Sequence, residues 1–142
     1  MGAVTGRARG AAREAFRREL ARAARHRYPL GVALIDPGTH RRCGEYLCEL
    51  RWVIGLAVRA GDQVCTRDSG DILILLPGMP DNRLASRIRV VSAAARSASR
   101  VVDAPVLRWG VAAFPRDGML PDILIGSAIA AMQTAGPLER TD

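Results

Sequence analysis

The segment from Val64 to Gly78 constrains the fold more than any other. Val64-Cys65 and Ile72-Leu73-Ile74-Leu75-Leu76 are strand-like apolar runs, and Arg67-Asp68-Ser69-Gly70 between them has turn chemistry. Pro77-Gly78 closes the second run. A hairpin in mid-chain, with helical and strand-like patterns alternating on either side, predicts an α/β fold. The expected form is a central mixed sheet of four or five strands covered by helices.

The flanking segments supply those helices and strands. Residues 11–26 have the pattern of an amphipathic helix, with Ala15, Leu20 and Ala24 alternating with Arg17, Arg18, Arg22 and Arg25, and with Glu14 and Arg18 able to pair. Tyr28-Pro29 ends it. Gly31 to Ile35 is a candidate buried strand, turned by Asp36-Pro37-Gly38. Leu47, Leu50, Ile54 and Val58 place a second helix over 45–58. Asp81 is positioned to cap a third, over 82–99. Val106 to Phe114 is a further strand, closed by Pro115-Arg116-Asp117-Gly118, and 121–132 a last helix stopped by Gly136-Pro137. The chain reads as a single domain over 1–142.

Composition bounds the function. The 142 residues suit one core, and 49% apolar residues exclude a disordered tail. Aromatics are 4%, so aliphatic side chains must build that core. There is no apolar run of transmembrane length and no secretory signal pattern, which predicts a cytoplasmic chain. The three cysteines lack CxxC spacing, and His26 and His40 are scattered, so neither a disulfide framework nor a metal cluster is expected. Cys65 has the pattern of a small core residue. All 21 basic residues are Arg, as a GC-rich genome produces without functional cause. Arg nonetheless grips phosphate with a planar fork, and a formal charge of +7 favours an anionic partner. Too few aromatics are present for a stacking surface, so no DNA partner is expected.

Arg59-Ala60-Gly61-Asp62 leaves the second helix, and nine positions after Arg59 comes Asp68-Ser69-Gly70-Asp71-Ile72. With Val4-Thr5-Gly6, Leu34-Ile35-Asp36, Trp109-Gly110-Val111-Ala112, Phe114-Pro115-Arg116-Asp117-Gly118 and Ala128 to Met132, these elements form an ordered set. Together they resemble the GGDEF family, the diguanylate cyclase domains. The resemblance implies a nucleotidyl-cyclase fold. It also implies that Arg59 and Asp62 match the RxxD element that binds the product cyclic di-GMP, the inhibitory site of that family. Alignment of Ala85-Ser86-Arg87-Ile88-Arg89 puts a second ligand-binding arginine at Arg87, and Arg83 lies one turn earlier on the same face. The arginine forks suit phosphate and a guanine Hoogsteen edge, and the Asp62 carboxylate suits the guanine N1 and N2 donors.

The catalytic signature departs from the family pattern. Asp36 keeps one metal-ligand position as a vestige, but Gly70 stands at its partner position and has no side chain to ligate with. Asp71 is one methylene shorter than the expected Glu. Asp68 and Ser69 replace two glycines, bringing bulk and a negative charge toward an anionic substrate. Only 23 positions separate Asp36 from Arg59, too few for the guanine-recognising loop of the cyclases. Gly136 replaces a phosphate-binding Lys, while Arg140 retains a companion Arg. The implied function is a catalytically inactive receptor for cyclic di-GMP, needing no cofactor and no metal. Ligand-promoted homodimers are implied, with a protein partner in bacterial signalling or exopolysaccharide control, and the chain resembles a domain excised from a longer one.

Other readings of the same residues stand beside this one. Arg59 and Asp62 also fit a surface ion pair at a helix end, Arg83 and Arg87 a solvated helix face, and Asp36 a plain turn residue. The whole chain also fits a protein-interaction scaffold that binds no nucleotide, or a GTP-binding regulatory domain.

Overall fold

The computed structural model describes the backbone of residues 2–38, 44–98 and 107–134, and side chains over 10–38, 44–98 and 107–133. Its elements are α1 (Gly2–His26), β1 (Leu30–Asp36), α2 (Gly44–Ala57), β2 (Gln63–Thr66), β3 (Ile72–Pro77), α3 (Asp81–Ala98), β4 (Arg108–Phe114), α4 (Pro121–Ala130) and the two-residue β5 (Gln133–Thr134). The sheet order is β2-β3-β1-β4-β5.

Helices cover both faces of this sheet. Side chains alternate across a strand, and β1 sends Leu30, Val32 and Leu34 to one side and Ala33 and Ile35 to the other. The first set packs with Leu73, Leu75, Ala112 and Phe114 against α1 and α4. The second packs with Ile72, Ile74, Leu76 and Trp109 against α2 and α3. Burial on both faces explains why β1 and β3 are unbroken apolar runs. Gly110 admits α4 onto β4: a Cβ there would overlap the Ala128 carbonyl oxygen and stand 2.8 Å from Met132 N and Cα.

The sheet is not mixed. β1 pairs antiparallel with both β3 and β4, β2 pairs antiparallel with β3, and β5 with β4. The helical crossovers do join parallel strands, β1 to β2 through α2 and β3 to β4 through α3. In each case an antiparallel strand lies between the two, so the parallel strands never touch.

Two helices differ from expectation. α1 begins at Gly2, so Val4-Thr5-Gly6 lies within it and not ahead of it. Its inward face is Ala12, Phe16, Leu20 and Ala23, while Ala24 is exposed and Ala15 half-buried. Phe16, the largest apolar side chain of the helix, sets that face. α4 ends at Ala130, because the chain turns there to add β5 to the edge of β4. Gly136-Pro137 and Arg140 lie outside the described residues. No described helix is long and apolar enough to cross a membrane.

Candidate functional site

The chain leaves α2 through Val58, whose N–H still bonds the Ile54 carbonyl at 3.2 Å. It then turns tightly over Arg59 to Asp62. The Asp62 N–H bonds the Arg59 carbonyl at 3.1 Å, and Gly61 takes φ +122°, a conformation that favours glycine. The Asp62 carboxylate closes the turn. It accepts from the Arg59 N–H at 2.9 Å and from Arg59 Nη2 at 3.2 Å. Arg59 Nη2 also donates to the Pro77 carbonyl at 3.0 Å, tying the end of α2 to the end of β3. The Asp62 side chain is 1% exposed and that of Arg59 47%. Asp62 therefore orients Arg59 here, and Arg59 presents the open charge.

Arg87 reaches the same place from α3. Its Nη2 donates to the Ala57 carbonyl, the last residue of α2, at 2.8 Å. An arginine on a terminal helix carbonyl satisfies an orphan acceptor and complements the negative end of the helix dipole. Its Nε is buried without a hydrogen-bond partner among the described residues. Arg87 is thus anchored on the end of α2, two residues before Arg59. Arg83 is exposed one turn away on α3.

The hairpin turn lies at the other end of β3. Register sets Leu30 opposite Pro77 and Ile35 opposite Ile72, so Asp36 and the turn share one end while Arg59 holds the other, about 17 Å away along the strand. The turn closes on itself. Asp71 is 8% exposed; it accepts from Arg67 Nη1 at 2.7 Å and from Ser69 Oγ at 2.6 Å. The Arg67 and Gly70 N–H groups bond the Asp71 and Arg67 carbonyls, both at 2.9 Å. Asp36 Oδ1 accepts the Gly38 N–H at 2.8 Å, the bond of a side-chain-capped turn.

The sequence matches no family model and no curated protein. Solved structures do match. The chain superposes on the GGDEF domain of YfiN (TpbB) from Pseudomonas aeruginosa with a TM-score of 0.65 and 25% identity, covering 80% of each chain. The GGDEF domain of DgcB from Caulobacter crescentus, solved in complex with c-di-GMP, matches with a TM-score of 0.69 and 16% identity over 87% of this chain and 81% of that one. The diguanylate cyclase SiaD from Pseudomonas aeruginosa, solved with its activator SiaC, gives 0.68 and 20% over 83% of this chain and 50% of that one.

The chain has the GGDEF-domain fold.

Cyclase chemistry on this GGDEF-like fold calls for carboxylates that hold metal on a triphosphate. The side chains present do not fit that group: Gly70 offers no side-chain ligand, and both Asp71 oxygens are engaged inside the turn. Among the described residues no three His, Cys, Asp or Glu side chains gather as metal ligands.

One structural carboxylate of the GGDEF-like fold has no counterpart in the sequence reading. Glu19 on α1 is 3% exposed. Its oxygens accept from the Tyr28 hydroxyl at 2.6 Å and from Gln63 Nε2 at 3.1 Å. Burial, then the Glu19 bond, pushes the Tyr28 phenol above its ordinary value. Gln63 follows Asp62 directly, so this network fastens α1 to the strand that begins at the candidate site. Glu19 looks like one more polar residue of an Arg-rich helix. Its i+4 relation to Ala23 and i−3 relation to Phe16, both buried, is the signal that places it inward. Cys65 packs partly buried against the α1 side, and burial pushes its thiol up.

Proposed function

We propose that this domain is catalytically inactive and serves as a receptor for cyclic di-GMP, bound at Arg59, Asp62 and Arg87 with Arg83 at the margin. The observation that carries the proposal is the Arg59–Asp62 turn just past the end of α2, with Arg87 anchored on that helix end. Two guanidinium forks and one carboxylate suit a ligand with two phosphates and two guanines. The Arg59 fork is half exposed, so an anion can reach it from solvent. Drawing that fork onto a phosphate uncovers Asp62 for the guanine N1 and N2 donors. Arg87 holds the helix end in place and offers its second fork from α3.

The self-closed hairpin supports the inactive half of the reading. Asp71 already has its partners, Gly70 cannot ligate, and Asp68 adds negative charge beside any triphosphate. A ligand shared between the Arg59 sites of two domains would dimerise them.

The test has two parts. Incubation with GTP and magnesium or manganese, followed by chromatography, yields no cyclic di-GMP; protein-dependent product at a diguanylate cyclase's rate overturns the inactive reading. Melting with cyclic di-GMP at 100 times its dissociation constant adds about 2.7 kcal/mol of stability; an unchanged melting temperature at tens of micromolar ligand overturns the receptor reading and leaves a scaffold.

A further inference from the structure

A groove of about 790 Å³ runs from Arg59 back along the outer face of α2 toward the free edge of β2. Arg51, Trp52, Gly55 and Leu56 line it from one face of α2, and Arg59 from the turn just past the helix end. Three features mark it. First, of the six aromatic side chains, Phe16, Tyr46, Trp109 and Phe114 are buried and Tyr28 is half-buried, whereas Trp52 is 68% exposed. Second, a Cβ on Gly55 would meet nothing within 4 Å, so nothing inside the fold requires glycine there, although glycine in a helix interior disfavours the helix relative to alanine. Third, the open charges are the two arginines, because Asp62 is 1% exposed and already paired with Arg59.

We infer that this groove is a purine-stacking subsite: Trp52 receives one base of a cyclic purine dinucleotide, the bare backbone at Gly55 gives that base room to lie flat, and Arg51 adds a phosphate fork. The inference rests on the reading of Arg59 as the ligand's phosphate anchor. Charge selects an anionic ligand, and an exposed indole beside an open helix backbone selects a flat one. Trp52 lies five residues before the end of α2, about 8 Å along the helix axis, and Arg59 follows two residues after that end, within reach of a ligand whose bases flank a phosphate ring. Leu56, 67% exposed, lines the same groove.

The experiment combines tryptophan fluorescence with calorimetry on wild type, Arg59→Ala, Trp52→Ala, Trp52→Phe and Gly55→Leu, each titrated with cyclic di-GMP. Trp109 is 2% exposed and serves as the silent internal reference. The expected result is quenching of wild-type emission that is absent from Trp52→Phe. Trp52→Ala binds about tenfold or more weakly, as loss of one base stack implies, and Trp52→Phe recovers most of the affinity. Gly55→Leu melts no lower than wild type yet binds about tenfold or more weakly. If wild type binds and Arg59→Ala does not, while Trp52→Ala and Gly55→Leu bind like wild type, the subsite is wrong and the Arg59 site stands. If wild type does not bind, both readings fall.

Discussion

Replacing Glu19 with alanine tests how the fold secures the candidate site. Glu19 is 3% exposed and accepts two hydrogen bonds, from Tyr28 at 2.6 Å and Gln63 at 3.1 Å. A hydrogen bond to a charged group contributes about 1.5–3 kcal/mol, and removing the acceptor also leaves two donors poorly paired. Against this, deleting a buried charge relieves its desolvation, so the net loss is about 2–4 kcal/mol. For a chain of this length, that lowers Tm by roughly 6–12 °C. Arg22 is the internal control. Its contact with Glu19 is 3.8 Å and its side chain is 64% exposed, so Arg22→Ala changes stability by about 0–1 kcal/mol. Glu19→Gln, which keeps an acceptor for one donor, falls between. Thermal melts followed by far-UV circular dichroism read all three. The reasoning is refuted if Glu19→Ala melts no lower than Arg22→Ala.

Gly110→Ala forces a Cβ into the Ala128 carbonyl and the Met132 backbone, and backbone cannot yield as a side-chain tip can; a loss of about 3 kcal/mol or more is expected by chemical denaturation. The Arg116 bond, with help from the Ala113 N–H, holds the Asp117 carboxyl below its ordinary value. That contribution is fully present above the unfolded carboxylate value, about 4, and is lost as pH falls through the lower folded value. Asp117→Asn therefore narrows the stability gap between pH 6 and pH 3, measured by urea unfolding at both; a gap equal to wild type counts against the assignment. Arg87→Ala weakens cyclic di-GMP binding about tenfold or more, through one lost charge-assisted contact, and a calorimetric affinity equal to wild type removes Arg87 from the site.

What the sequence made legible follows from which interactions are local. β1 and β3 are apolar runs because both their faces are buried, and α2 shows its buried Leu50 and Ile54 at helical spacing. The Arg59–Asp62 turn was legible because its bonds span three residues. The sheet's polarity was not, since it depends on which strand inserts between two others, a long-range choice that no local pattern encodes. β5 was hidden for a similar reason: two residues, Gln133 and Thr134, are strand only because β4 offers an edge. The start of α1 was obscured by Gly6 and Gly10, which disfavour a helix interior. Glu19 was missed because its partners Tyr28 and Gln63 lie 9 and 44 residues away. The reach of Arg59 Nη2 to the Pro77 carbonyl, 18 residues away, is likewise tertiary.

The most direct measurement is calorimetric titration of cyclic di-GMP into wild type and Arg59→Ala, with Asp62→Asn alongside. The account predicts saturable heat with wild type at tens of micromolar ligand and at least a tenfold loss in Arg59→Ala, from one charge-assisted phosphate contact of about 1.5–3 kcal/mol. Asp62→Asn keeps the turn's shape but discriminates less against cyclic di-AMP, because the carboxylate acceptor for guanine is gone. Absence of heat with wild type contradicts the receptor account, and equal affinity in wild type and Arg59→Ala contradicts the placement of the ligand at the end of α2.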